Sequence, residues 1–130
     1  MATFVQRKVL KSSYDEALAK IPEALKTEGF GVLTEIDVRD TMKKKLDVDF
    51  RRYKILGACN PPLAHKALGI ELELGVMLPC NLVVYEGDDG KTVVAAIDPM
   101  QTMAALGKPE LQEVAKEVQQ RLGRVLERLA

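Results

Sequence analysis

Apolar positions along this chain recur with two periods, and the alternation between them predicts the order of its elements. Phe4-Val5-Gln6-Arg7-Lys8-Val9-Leu10 is rich enough in β-favouring residues for a strand. Ser13, with Glu16 three residues later, forms a capping box that starts a helix. Tyr14, Leu18, Ile21 and Leu25 then repeat at helical spacing; Gly29 can close that helix in the left-handed conformation, and Pro22 should bend it midway. Phe30, Val32, Thr34, Ile36 and Val38 alternate with Gly31, Leu33, Glu35 and Asp37, the pattern of a half-buried strand. Arg39 to Leu46 has only Met42 and Leu46 on its apolar edge, which suits a short surface helix.

Tyr53 to Cys59 is the next strand, with Tyr53, Ile55, Gly57 and Cys59 on one face. Asn60-Pro61-Pro62 then supplies a cap and a first-turn proline for a helix ending near Leu68, before Gly69. In residues 70 to 75, Ile70, Leu72 and Leu74 alternate as in a strand, but the stretch is short and directly precedes a better one. Val76 to Glu86 reads as a strand, and Gly87-Asp88-Asp89-Gly90 as the turn leading into a partner strand, Lys91 to Ile97. Asp98-Pro99 repeats the cap-then-proline start, predicting a short helix to Leu106, and Pro109 opens the longest one. There Leu111, Val114, Val118, Leu122, Val125 and Leu129 line one side, with Glu113, Glu117, Arg121, Arg124 and Arg128 largely on the other. The order β-α-β-(α)-β-(α)-β-β-α, with a hairpin and no run of βαβ units, predicts an α+β fold. Its sheet is antiparallel, with helices packed on one face.

At 130 residues the chain has room for one core, so residues 1–130 read as a single domain. Hydrophobic residues make up 47% and charged residues 29%, the balance of an ordinary globular protein. No apolar run exceeds Val93 to Ile97, and Met1 to Lys8 lacks an apolar segment of signal-peptide length; a cytoplasmic protein without membrane attachment is expected. Nineteen Lys and Arg against nineteen Asp and Glu leave no net field to attract nucleic acid. The charges are nevertheless uneven. Residues 39 to 54 carry seven basic and three acidic side chains, whereas residues 67 to 90 carry five acidic and no basic ones. These two regions, or the long C-terminal helix, offer surfaces for a homodimer.

Phosphate-binding glycine loops, Gly-x-Ser-x-Gly and Cys-x-x-Cys are absent from the sequence, and a single histidine excludes sites that need two within one chain. Ser12 and Ser13 sit where a helix cap is needed. Asp98 reads as the cap before Pro99, and Met100 and Met103 as filler over the sheet. What stands out is the centre of the chain. Its two cysteines, Cys59 and Cys80, are each followed by one of its two asparagines, Asn60 and Asn81, and His65 lies six residues after Cys59. Cys59 precedes a helix start, where N–H groups favour a thiolate, whereas the apolar neighbours of Cys80 should raise its pKa. If the two strands are neighbours in the sheet, Cys59 and Cys80 should point from the same face into a shared pocket.

Ile36-Asp37-Val38, Tyr53 to Pro61, Leu78 to Val84 and Ile97-Asp98-Pro99 together resemble the prokaryotic domain of unknown function number 302. The likeness runs over roughly residues 30 to 100, and the flanking helices fit the complete domain. It implies a TBP-like fold with a curved antiparallel sheet, and it implies that Cys59, Asn60, Pro61, His65, Cys80 and Asn81 belong to the family's motif. It supplies no activity, and Gly69 to Gly75 departs from the Asp-Pro turn the family leads one to expect. The resulting expectation is a small-ligand-binding or metal-binding, redox-responsive module. Its ligand residues are Cys59, Asn60, His65, Cys80 and Asn81, and its metal ligands are Cys59, His65 and Cys80. Two alternatives stand beside it: a thiol enzyme with Cys59 as nucleophile and His65 as base, and a homodimeric interaction domain.

Overall fold

The computed structural model describes residues 4–130. Five strands, β1 (Val5–Leu10), β2 (Gly31–Asp37), β3 (Tyr53–Cys59), β4 (Cys80–Glu86) and β5 (Thr92–Ile97), form one fully antiparallel sheet in the order β1-β5-β4-β3-β2. Four helices accompany it: α1 (Tyr14–Thr27), α2 (Val38–Leu46), α3 (Pro61–Ile70) and α4 (Pro109–Glu127). The α+β architecture read from the sequence is the observed one. Among the described residues, no helix is long and apolar enough to cross a membrane.

The capping box at Ser13 and Glu16 forms as its spacing requires, and α1 runs through Pro22 before Gly29 closes it at φ 82°. Helices α1 and α4 lie over one face of the sheet. Ile21 and Leu25 from α1 and Leu111, Leu122 and Val125 from α4 meet Leu82, Val84 and Val94 from the central strands, all essentially inaccessible to solvent. Two side chains from β1 fasten α4 at its exposed carbonyls: Gln6 donates to the carbonyl of Gln119, and Lys8 to those of Leu126 and Leu129.

Three expectations need correction. Strand β2 is a sheet edge and is exposed along nearly its whole length rather than half-buried. Its register shifts between Val32 and Thr34, so Val32 faces Ala58 and the core while Thr34 and Ile36 face Gly57 and Ile55 on the other side. One extra residue, Leu33, thereby splits an apparently continuous alternation between two faces. Strand β4 starts at Cys80, not Val76. Pro79 has no N–H for the ladder and follows a cis peptide bond, and the preceding Leu72–Met77 winds as a 3₁₀ helix. The helix expected after Pro99 shrinks to turns and a single 3₁₀ segment, Met103–Leu106, because Asp98 accepts from the N–H of Met100 in a tight turn instead of capping a longer helix.

Candidate functional site

Strand β3 ends at Cys59, and the next residue, Asn60, caps α3 by accepting the N–H of Leu63. Strand β4 begins at Cys80 beside it. Because Ala58 pairs with Cys80, while Cys59 pairs with Gly31, the two cysteines are one register step apart, and alternation denies them the common sheet face expected from the sequence; they meet only because both lie at strand ends. Both line one cavity of about 220 Å³, enclosed by the ends of β3 and β4, α3, the Leu72–Met77 segment and α4. Phe30, Leu63, Leu68, Leu78, Met103 and Val118 supply much of its wall. The sequence marked the thiols but read Val118 and Met103 only as core. The cavity arises because α3 and α4 meet over the end of the sheet, a tertiary arrangement that no local pattern encodes.

Burial pushes the Cys80 thiol up to about 11, with neighbouring Cys59 a smaller contribution in the same direction. The apolar setting inferred for Cys80 is thus the observed one. Both cysteines are free and partly covered.

The other expected site residues are dispersed. Asn60 is buried and engaged on both sides: its Oδ1 accepts from Leu63, and its Nδ2 donates to the carbonyl of Glu28 at 3.2 Å. Arg121 of α4 donates to that same carbonyl at 3.0 Å, and Arg124 pairs with the Glu28 carboxylate at 2.9 Å. Asn60 therefore fixes where Cys59 sits, with one amide donor and one acceptor position spent on the fold. Asn81 lies exposed on the opposite face of the sheet from the buried Leu82, as its neighbouring position in the strand demands. His65 is exposed on α3 and is absent from the cavity wall. Among the described residues, no three His, Cys, Asp or Glu side chains are grouped as metal ligands, so Cys59, His65 and Cys80 do not form the expected triad.

Asp98, read from the sequence as a cap, is buried and accepts from Gln119 Nε2 at 3.0 and 3.1 Å. It holds the end of β5 to α4. Some charges of the two uneven regions are paired within the chain. Arg51 pairs with Asp88 at 2.7 Å across them, Lys43 and Lys44 with Asp47 and Asp40, and Lys54 with Glu35. The apolar side of α4 is likewise spent on the protein's own core.

A model of the family described as "Domain of unknown function DUF302" matches residues 5–129. The chain belongs to this family. The crystal structure of an uncharacterised conserved DUF302 protein from Bacillus stearothermophilus is 33% identical and superposes with a TM-score of 0.92, covering 99% of this chain and 100% of that one. No curated protein matches the sequence. The DUF302 fold is thus secure over essentially the whole chain, and an activity has to be argued from the site.

Proposed function

We propose that this DUF302 domain is a binding module for a small apolar molecule, held in the cavity beneath α3 with Cys59 and Cys80 in its wall. One observation carries the reading: apart from the two thiols, the side chains facing this space are almost entirely hydrocarbon. A half-open apolar pocket of this kind gains free energy when an apolar guest displaces water from its wall, and a cavity of about 150 Å³ is enough for benzene. The one amide at its edge, Asn60, is already bonded on both sides. Affinity would then come from burial of apolar surface, and selectivity from size and shape.

The thiols add a redox-responsive element to the same reading. Oxidation or alkylation of Cys59, which ends β3 just before the cap of α3, would add bulk or polarity to a hydrocarbon wall and lower affinity. A metal-binding role receives less support, because His65 stands outside the cavity.

The test is a titration of the reduced protein with benzene and with indole, followed by heteronuclear NMR. Saturable shifts at Leu63, Leu78 and Val118, lost in Ala64→Phe, which fills the cavity from α3, are the expected result. Shifts that persist in Ala64→Phe, or no saturation by either probe, would overturn the proposal.

A further inference from the structure

The helices cover one face of the sheet, and the other face is apolar as well. Register and alternation place Val5, Val9, Tyr53, Ile55, Val83, Tyr85, Val93, Ala95, Ile97, Thr34 and Ile36 on it, with the polar Asn81 at its end. Its charged member is Arg7, which donates to the Tyr85 hydroxyl at 2.7 Å. An antiparallel sheet with one solvated face normally alternates apolar and polar residues. Strand β5 instead reads Thr-Val-Val-Ala-Ala-Ile, and its residues on this face, Val93 and Ala95, already lie buried among their neighbours' side chains, so the accessible apolar surface is that of the strands around them. Phe4, Val9, Ile36 and Phe50 are 40–55% exposed around this face, and Phe50, Tyr53 and Tyr85 continue one another as an aromatic row.

We infer that this open sheet face is a homodimer interface, closed by the same face of a second copy. The inference does not depend on the cavity reading, since the cavity lies on the helix side. Size supports it. Five strands of six or seven residues make a face of about 24 by 20 Å, roughly 500 Å² in projection. The flanking Phe4 and Phe50 extend this towards the roughly 600 Å² per partner at which stable interfaces begin. Charge supports the choice of partner. Among the described residues the face carries no acidic side chain, its one cation is bonded to its own tyrosine, and the exposed amide of Asn81 both donates and accepts, so a second copy can answer it without charge complementarity. Two such faces can meet as the sheets of a sandwich do. The apolar side of α4, one of the surfaces first suggested by the sequence, is already buried in the chain's own core.

Sedimentation velocity on the full chain, from about 1 to 100 μM, tests this together with Val83→Lys at the centre of the face and Val9→Lys at its exposed margin. Val9 is 53% exposed, so its replacement leaves folding intact even where Val83→Lys does not. A wild-type dimer whose dissociation constant rises roughly tenfold or more in Val9→Lys, with an unchanged circular dichroism spectrum, is the expected result. A wild-type monomer throughout would overturn the inference and leave the face to an unlike partner. A dimer indifferent to both lysines would overturn it too, by moving the interface elsewhere.

Discussion

The side-chain amide of Asn60 and the main-chain carbonyl of Glu28 are joined by a buried hydrogen bond of 3.2 Å. Through it the start of α3, and with it Cys59, is referenced to the end of α1. Arg121 and Arg124 reach the same residue from α4, so three helices converge on Glu28.

Removing that amide should therefore be costly. Asn60→Ala loses both the cap of α3 and the bond to Glu28, and is expected to destabilise the protein by about 2–3 kcal/mol in urea unfolding. Asn60→Asp keeps an acceptor for Leu63 but loses the donor to Glu28, whose carbonyl retains Arg121; about 1 kcal/mol is expected. Equal losses in the two variants would show that the cap alone matters.

Titration of Cys80 should be visible as a pH dependence of stability. Its thiol is shifted from an ordinary value of 9.0 to about 11 in the folded state, so the folded protein holds this proton where the unfolded chain has released it. The stabilisation is complete below pH 9 and is lost as pH rises through 11, up to about 2 kcal/mol in all. Comparing wild type with Cys80→Ala from pH 8 to 11 isolates this from the tyrosines: the wild type should lose more stability across that window. Parallel curves would mean that the folded thiol titrates normally.

Gly57 and Gly31 should respond oppositely to alanine. A Cβ at Gly57 would lie 2.6 Å from the Pro79 ring and would also collide with the Thr34 hydroxyl, whereas nothing stands within 4 Å at Gly31. Gly57→Ala is expected to lower stability by about 2 kcal/mol or more and to disturb the Pro79-Cys80 entry into β4. Gly31→Ala should be neutral or stabilising by a few tenths of a kcal/mol. Thermal melting of the two variants side by side reads the contrast.

The ion pair between Arg51 and Asp88 is well exposed, and charge reversal of either partner should change stability by less than about 1 kcal/mol. A larger loss would give the junction between the basic and acidic regions a structural weight that its geometry does not predict.

The capping box, the Asn60-Pro61 start, the β4–β5 turn and the stripe of α4 were all legible in the sequence, because each is decided within a few residues. The edge position of β2 was not legible. Its alternation is genuine as a pattern, but the bulge at Leu33 belongs to the pairing with β3. The site was half legible for a similar reason. Two cysteines at strand ends pointed to a shared cavity, whereas the matching asparagines suggested a joint role that the alternation of β4 prevents for Asn81. His65 lies close to Cys59 in sequence, but α3 turns it outward to solvent. The apolar open face was written in Val93 to Ile97, an uninterrupted run first weighed only as a membrane segment.

The sheet order also bears on the birth of the molecule at the ribosome. Strand β1 is the first to emerge, yet its only neighbour is β5, with Val5 beside Ile97. Most of the polypeptide must therefore be synthesised before the leading strand has anything to hydrogen-bond, whereas the β4–β5 hairpin can close as soon as it is exposed. The nascent chain passes through a stage in which a pairable strand waits unpaired, and Arg7 and Lys8 supply the charge that discourages it from finding a neighbouring chain first.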